Sequence, residues 1–208
     1  MHCVRVNGVT SPYEPVLSGI PQGSILGPLL FIFYVNGVLG LDITSILKLF
    51  ADDAKLYRKI RNPNDIVEMQ EDLNRVCDFF DDWQLKINVS KSEILHLGHN
   101  NANHSYTMNS ADIPAKSVCR DLGIQISDDN KFSRHINELT RVAFFRLKQL
   151  RLAFSCKDLD FQVHLYTTFV RPKLEYNTNV WSPHLLQDID AVEDVQKLFT
   201  RTLPGMEG

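Results

Sequence analysis

The sequence predicts an α+β protein: an antiparallel sheet with packed helices to about residue 127, then an α-helical domain over 128–208. Three observations carry that reading. Two β-rich runs flank Asp52 and Asp53 in "ILKLFADDAKLY". "NPND" then opens a long amphipathic pattern. From Asn130 onward apolar residues recur every three or four positions. With 208 residues, 44% hydrophobic and 10% aromatic, the chain can bury a core in one or two domains.

Residues 1–16 alternate in "VRVNGV" and then meet Ser-Pro and Glu-Pro, which predicts a strand or hairpin followed by a loop. "SGIPQGSILGP" is a Gly/Pro-rich loop opening a helix, with Pro28 placed for its first turn. The apolar run "ILGPLLFIFYV" is half of the roughly 20 residues a spanning helix needs, so it reads as a buried core helix ended by Asn36 and Gly37. Two runs of about five residues each then make a hairpin around the Asp pair. Asn62 is the expected cap of the next helix, with Pro63 first and Asp65 in its first turn. Its stripe of Ile66, Met69, Leu73, Val76, Phe80 and Trp83 predicts a helix lying on a sheet.

"LKINVSKSEILHLG" predicts a turn over 88–91 and a strand ending at Gly98, followed by a polar loop over 100–103. Short strands are expected around Tyr106 and over 122–126. Three helical stripes follow: Ile136, Leu139, Ala143, Leu147 and Leu150; then Leu159, Val163, Tyr166 and Val170, interrupted at Pro172; then Leu186, Ile189, Val192, Gln196 and Phe199. Trp83, Phe80 and Trp181 read as core residues rather than base-stacking ones.

A net charge of −3 says nothing of a nucleic-acid partner, but the charge is unevenly distributed. Residues 131–173 hold nine Lys/Arg against three acids, whereas the first hundred hold nine against twelve. That suits a metal site beside a phosphate-binding surface, or an ordinary solvated helix face. Cys3, Cys77, Cys119 and Cys156 show no CxxC spacing, so neither a disulfide framework nor a zinc site is indicated and a reducing, intracellular compartment is expected. No secretory leader or membrane span is expected either.

Two adjacent carboxylates repel each other and cost energy when buried without a partner. Asp52 and Asp53 are therefore either a solvated acidic turn or ligands of a divalent cation. Two-metal phosphoryl transfer needs hard oxygen ligands of this kind. The loop with glycines at 19, 23 and 27 lets a ligand approach the backbone and opens a helix whose N-terminus favours phosphate; it is equally a plain Gly-Pro helix entry.

In order, "SGIPQGSILGPLLFIFYVN", "LFADDAKLY" and "WQLKINVSKSEILHLG" resemble the reverse transcriptases of non-LTR (LINE-type) retrotransposons, jockey and CR1-like elements among them. "RDLGIQIS", "LYTTFVRPKLEYNTNVWSP" and "VQKLFTR" resemble segments that follow the palm in those proteins, so the likeness runs over essentially the whole chain. The resemblance implies a partial polymerase palm over 1–127 and a thumb-like helical domain over 128–208. It implies that Ser18, Gly19, Pro21, Gln22 and Gly23 pack beneath the templating base and incoming nucleotide. Phe50, Ala51, Asp52 and Asp53 match the catalytic hairpin, with Asp52 the firmer ligand of Mg²⁺ or Mn²⁺ and Asp53 the supporting one. Lys91 matches a lysine near the leaving pyrophosphate, and its alternative is a surface turn lysine. Residues 96–98 fall where a primer-gripping strand would begin. Lys131, Arg134, Arg141, Arg146, Lys148 and Arg151 would track the backbone of an RNA template–DNA primer duplex, with dNTP as the other substrate.

The family also carries a metal-binding aspartate on an earlier strand, whereas Glu14 is the sole acid before Ser18. The chain is therefore expected to be an internal piece of a longer polyprotein, with little polymerase activity alone. A nucleic-acid- or protein-binding module without catalysis, domesticated or relic, is the alternative. An unrelated Mg²⁺-dependent phosphohydrolase would leave "PQGSILGP" unexplained.

Overall fold

The computed structural model describes residues 1–15 and 23–205. The chain forms two compact units: Met1–Ser90 with Tyr106–Asp112, and Lys91–Ser105 with Ile113–Gly208. Helices and small sheets are mixed in the manner of an α+β protein.

In the first unit, β1 (Arg5–Val6) and β2 (Val9–Thr10) make the expected hairpin. Its turn is Asn7–Gly8, with φ of +51° and +84°, the pairing that matches the right-handed twist of the strands. Helix α1 (Leu26–Val35) starts where Ser24 Oγ accepts from the Gly27 N–H at 3.0 Å. The expectation of a buried core helix fails here. Only Gly27 and Val35 are buried, while Ile25, Leu26, Leu29 and Phe33 are 62–90% exposed. The physical reason is that α1 is apolar all round, so its sequence marks no inward face, and the described residues lay no layer over it.

Strands β3 (Ile46–Phe50) and β4 (Asp53–Tyr57) pair antiparallel, and α2 (Pro63–Asp82) packs on them. Asn62 caps α2 by accepting from the Asn64 and Asp65 N–H groups, and the Asp65 side chain answers the Asn62 N–H in a reciprocal box. Val76 and Phe80 bury against Val38, with Leu47 and Leu49 of β3 closing the same cluster. Trp83 differs from expectation: it ends α2 at 40% exposed, stacked on Phe79 and edge-on to Tyr34. β6 (Thr107–Met108) and β7 (Ala111–Asp112) make a hairpin held to α2 by Gln70, whose amide bonds both the N–H and the C=O of Thr107.

In the second unit, β5 (Ile94–Leu95) pairs parallel with β8 (Ala115–Lys116), so the strand expected to end at Gly98 stops at Leu95. β9 (Val118–Asp121) and β10 (Ile124–Ser127) are antiparallel around Leu122–Gly123. The described strands thus form five two-stranded pieces rather than one antiparallel sheet. The helices are α3 (Ser133–Ala153), α4 (Leu159–Phe169), α5 (Arg171–Glu175), α6 (Thr178–Trp181) and α7 (Leu186–Thr200). Ala143, Leu147, Tyr166, Val170, Leu174, Val195 and Phe199 close their core, and the Tyr166 and Phe199 rings stack at 4.2 Å. Trp181 is 1% exposed and packs with Ile124 and Ile136. On α7 the buried row is Asp188, Val195 and Phe199; Leu186 and Ile189 of the predicted stripe face outward. Ser133 Oγ donates to the Asp188 carboxylate at 2.7 Å, which lets an acid take the inward position.

Candidate functional site

The β3–β4 register leaves two residues, Ala51 and Asp52, between the paired Phe50 and Asp53. In the β1–β2, β6–β7 and β9–β10 hairpins both turn residues have positive φ; here only Ala51 does, at +51°. That backbone is costly for a residue with a Cβ, and such outliers concentrate at functional sites. The turn places Asp52 at the tip and Asp53 on the first rung of β4, and both side chains are exposed. Two carboxylates are thereby presented outward, with only Ala51 and Phe50 on the side of β3.

The root of the hairpin is fixed by a polar cluster that the sequence pattern did not disclose. Asp72, 1% exposed on α2, accepts from the backbone N–H of Thr44 at 3.1 Å and of Ser45 at 2.7 Å, and from Thr44 Oγ1 at 3.2 Å. Arg75 reaches its other oxygen at 3.2 Å. Burial pushes the Asp72 carboxyl up, but the Ser45 and Thr44 hydrogen bonds outweigh it and hold the group below the usual carboxylate range. Arg58, just past β4, bonds Thr44 Oγ1 at 2.6 Å, Asp65 at 3.3 Å and Glu68. The only hint in sequence was an acid, Asp72, at a position flanking the apolar stripe of α2.

The structure brings Phe50, Ala51, Asp52 and Asp53 together. Gly23 is described at φ +81° with open space around it, whereas Ser18, Gly19, Pro21 and Gln22 lie outside the described residues. Lys91 is exposed, ends the 3-10 turn Val89–Lys91 and belongs to the second unit. In that unit Arg134, Arg141 and Lys148, seven residues apart along α3, form an exposed row opposite the buried Ile136, Ala143 and Leu147. Arg146 and Arg151 flank the core side of that row, and Lys131 precedes the helix. Arg141 is bridged to Glu138 through two bonds, at 2.7 and 2.8 Å.

Among the described residues no three His, Cys, Asp or Glu side chains gather to hold a metal ion. The donor chemistry at the tip still fits Mg²⁺ or Mn²⁺, because Mg²⁺ is ordinarily held by one or two carboxylates together with substrate phosphates. No described helix is long and apolar enough to cross a membrane.

The sequence profile of the family described as "Reverse transcriptase (RNA-dependent DNA polymerase)" matches residues 2–132, which include the hairpin. The chain is 25% identical to the "Probable RNA-directed DNA polymerase from transposon X-element" of Drosophila melanogaster, over 98% of this chain and 24% of that protein. It is 27% identical to the "RNA-directed DNA polymerase from mobile element jockey" of Drosophila funebris, over 97% of this chain and 23% of that protein. The Drosophila melanogaster jockey polymerase is 24% identical over 97% and 23%. The chain therefore spans about a quarter of the length of the curated relatives it matches. No solved structure matches it.

Proposed function

The chain belongs to the reverse transcriptase (RNA-dependent DNA polymerase) family, and from that premise we propose that it supplies part of the palm and the thumb-like helices of a non-LTR retrotransposon polymerase. In this reading residues 1–127 are palm and 128–208 thumb. RNA template, DNA primer and dNTP are the substrates. The observation that carries it is the pair Asp52–Asp53 at a hairpin tip with a strained Ala51, inside the residues the family profile matches.

Asp52 and Asp53 would hold Mg²⁺ or Mn²⁺, which when bound supplies charge stabilisation for transfer of a nucleotidyl group to a primer hydroxyl. The protein's own part is positioning. The Asp72 and Arg58 cluster ties the root of the hairpin to α2, which would restrict the movement of the tip carboxylates. Phe50, Ala51, Gly23 and residues 18, 19, 21 and 22 would border the nucleotide. Lys91 would stabilise charge on the departing pyrophosphate. Lys131, Arg134, Arg141, Arg146, Lys148 and Arg151 would neutralise duplex phosphates without reading sequence.

The test is Mg²⁺-dependent primer extension on an RNA template, by the 208 residues alone and within any longer reading frame that contains them. Asp52→Asn is expected to lower the extension rate by about a thousandfold or more where wild type is active. Unchanged extension in that variant refutes the assignment. The resemblance implies a third metal-binding aspartate on an earlier strand, which these residues do not match, so the 208 residues alone are expected to extend little or not at all. A second reading, nucleic-acid binding without catalysis, is favoured by the outward basic row on α3. It predicts salt-dependent affinity indifferent to Asp52→Asn.

A further inference from the structure

In the second unit, α3, α4 and the C-terminal end of α7 border a cavity of about 540 Å³. Its floor is the buried Leu147, Leu165, Tyr166 and Phe199, the last two with their rings stacked. The core is therefore closed beneath it, yet apolar side chains continue outward past that floor. Leu152, near the end of α3, is 79% exposed and Leu198 on α7 is 39% exposed, and both line the opening. Apolar area left in water forgoes about 25 cal/mol per Å² of burial energy. A contiguous apolar surface rimmed by polar residues marks an interaction site.

Charge narrows what covers it. Two lining residues are charged, Lys148 and Arg151, three positions apart on α3 and both exposed. Among the described residues no carboxylate lines the cavity, and its other polar side chains, Gln162, Tyr166 and Thr202, are neutral. Arg141 on the same helix has Glu138 as its ion partner, whereas Lys148 and Arg151 make no ion pair among the described residues. A fitting occupant brings both apolar side chains and negative charge. Length narrows it again. The α3 lining runs from Phe144 to Leu152, which is about 12 Å of helix. Apolar anchors at i, i+4 and i+7 of a docked helix span about 10.5 Å, and a helix laid in an apolar groove is a recurring mode of peptide recognition. A polynucleotide strand meets the two cations but leaves both leucines in water.

We propose that the groove between α3, α4 and α7 docks an amphipathic helical segment of a protein partner, with apolar anchors over Leu147, Leu165 and Phe199 and flanking carboxylates on Lys148 and Arg151. The proposal does not rest on the polymerase reading, since neither the acidic tip nor a metal enters it. The two compete for Lys148 and Arg151 alone.

The test is fluorescence anisotropy of a fluorescein-labelled helical peptide of about 16 residues, with Leu at i, i+4 and i+7 and Glu on the adjoining flank. It is titrated with the 208-residue chain at low and high salt. A second peptide carries Lys in place of every Glu, and a third carries Ala at the anchors. The Glu peptide is expected to bind at least about fivefold more tightly than the Lys peptide at low salt, with the gap shrinking at high salt. The Ala peptide is expected not to bind. Lys148→Glu/Arg151→Glu is expected to invert the order of the Glu and Lys peptides, which a structural role for either residue would not do. Leu152→Ser/Leu198→Ser, at two exposed positions, is expected to weaken the Glu peptide about tenfold while circular dichroism stays unchanged. No binding of the Glu peptide by wild type, a preference that charge reversal fails to invert, or binding indifferent to the two leucines overturns the proposal. Glu and Lys peptides bound alike and displaced by laurate would give the groove to an acyl chain and overturn it too. A DNA primer–RNA duplex that loses affinity in Lys148→Glu/Arg151→Glu, with no peptide bound, leaves both cations to the polynucleotide and refutes the docking site.

Discussion

Removing the Asp72 carboxylate should uncouple the catalytic-hairpin candidate from the helix beneath it. In Asp72→Ala the charge and both acceptor oxygens are lost together. Wild-type Asp72 receives the Ser45 N–H at 2.7 Å, the Thr44 N–H at 3.1 Å and Thr44 Oγ1 at 3.2 Å on one oxygen, and Arg75 at 3.2 Å on the other. Thr44 and Arg75 are exposed, so water replaces much of what they lose; Ser45 is 7% exposed, so its N–H is left without an equal partner. A hydrogen bond to a charged group contributes about 1.5–3 kcal/mol, and an orphaned buried donor costs about 1–3 kcal/mol. Counting the Ser45 bond fully and the others at a discount gives a loss of about 3 kcal/mol. Urea unfolding at pH 7, followed by circular dichroism, reads the total, and amide exchange at Ser45 reads the site. The folded carboxyl is held below its usual value, so its contribution is complete above about pH 4 and is lost as pH falls through the lower, folded-state pKa. The gap between wild type and variant should therefore close in acid. A difference below about 0.5 kcal/mol at pH 7, within the range of ordinary surface substitutions, or one that persists unchanged at pH 2, would refute the reasoning.

Two further outcomes are expected. A Cβ at Gly37 would sit 3.1 and 3.3 Å from Phe79 ring atoms. Gly37→Ala should thus cost about 1–2 kcal/mol by urea unfolding despite the entropy it saves, and a cycle with Phe79→Leu should show coupling rather than additivity. His135 is buried, accepts the Gln125 N–H at Nδ1 and has no partner for Nε2 among the described residues. Burial, with Arg120 adding to it, holds its pKa below 6.5. The unfolded chain then binds the extra proton first, so stability should decline as pH falls below about 6.5 and level off below the folded-state pKa. His135→Gln should remove that part of the slope; parallel stability curves between pH 7 and 5 would contradict it.

Local rules carried much of the architecture into the sequence. "NPND" announced its helix because capping needs only a few adjacent residues, and Asn62 and Asp65 satisfy it within one turn. Asp52 and Asp53 were legible as part of a hairpin tip because strand pairing and turn length are set by neighbours, but the register moves the turn by one residue: Ala51–Asp52 make it, and Asp53, on β4, pairs with Phe50. The α3 stripe was legible because its polar residues leave one apolar face. Where polarity did not choose a side, periodicity could not. Helix α1 offers apolar atoms in every direction, and its exposure depends on what surrounds it rather than on its own residues. On α7, Asp188 turns inward because Ser133, 55 positions away in sequence, supplies its hydrogen bond.

By itself the sequence determined the class, the capped start of α2 and the acidic tip, since each follows from interactions within a few residues or from a run of motifs in family order. Only the tertiary structure decided that Asp72 is buried and what anchors the hairpin's root, because Thr44 and Ser45 reach it across 27 to 28 positions. It alone also showed which lysine faces which across the strands: the Lys48–Lys55 rung exists only once register is fixed, and register is a property of two strands together.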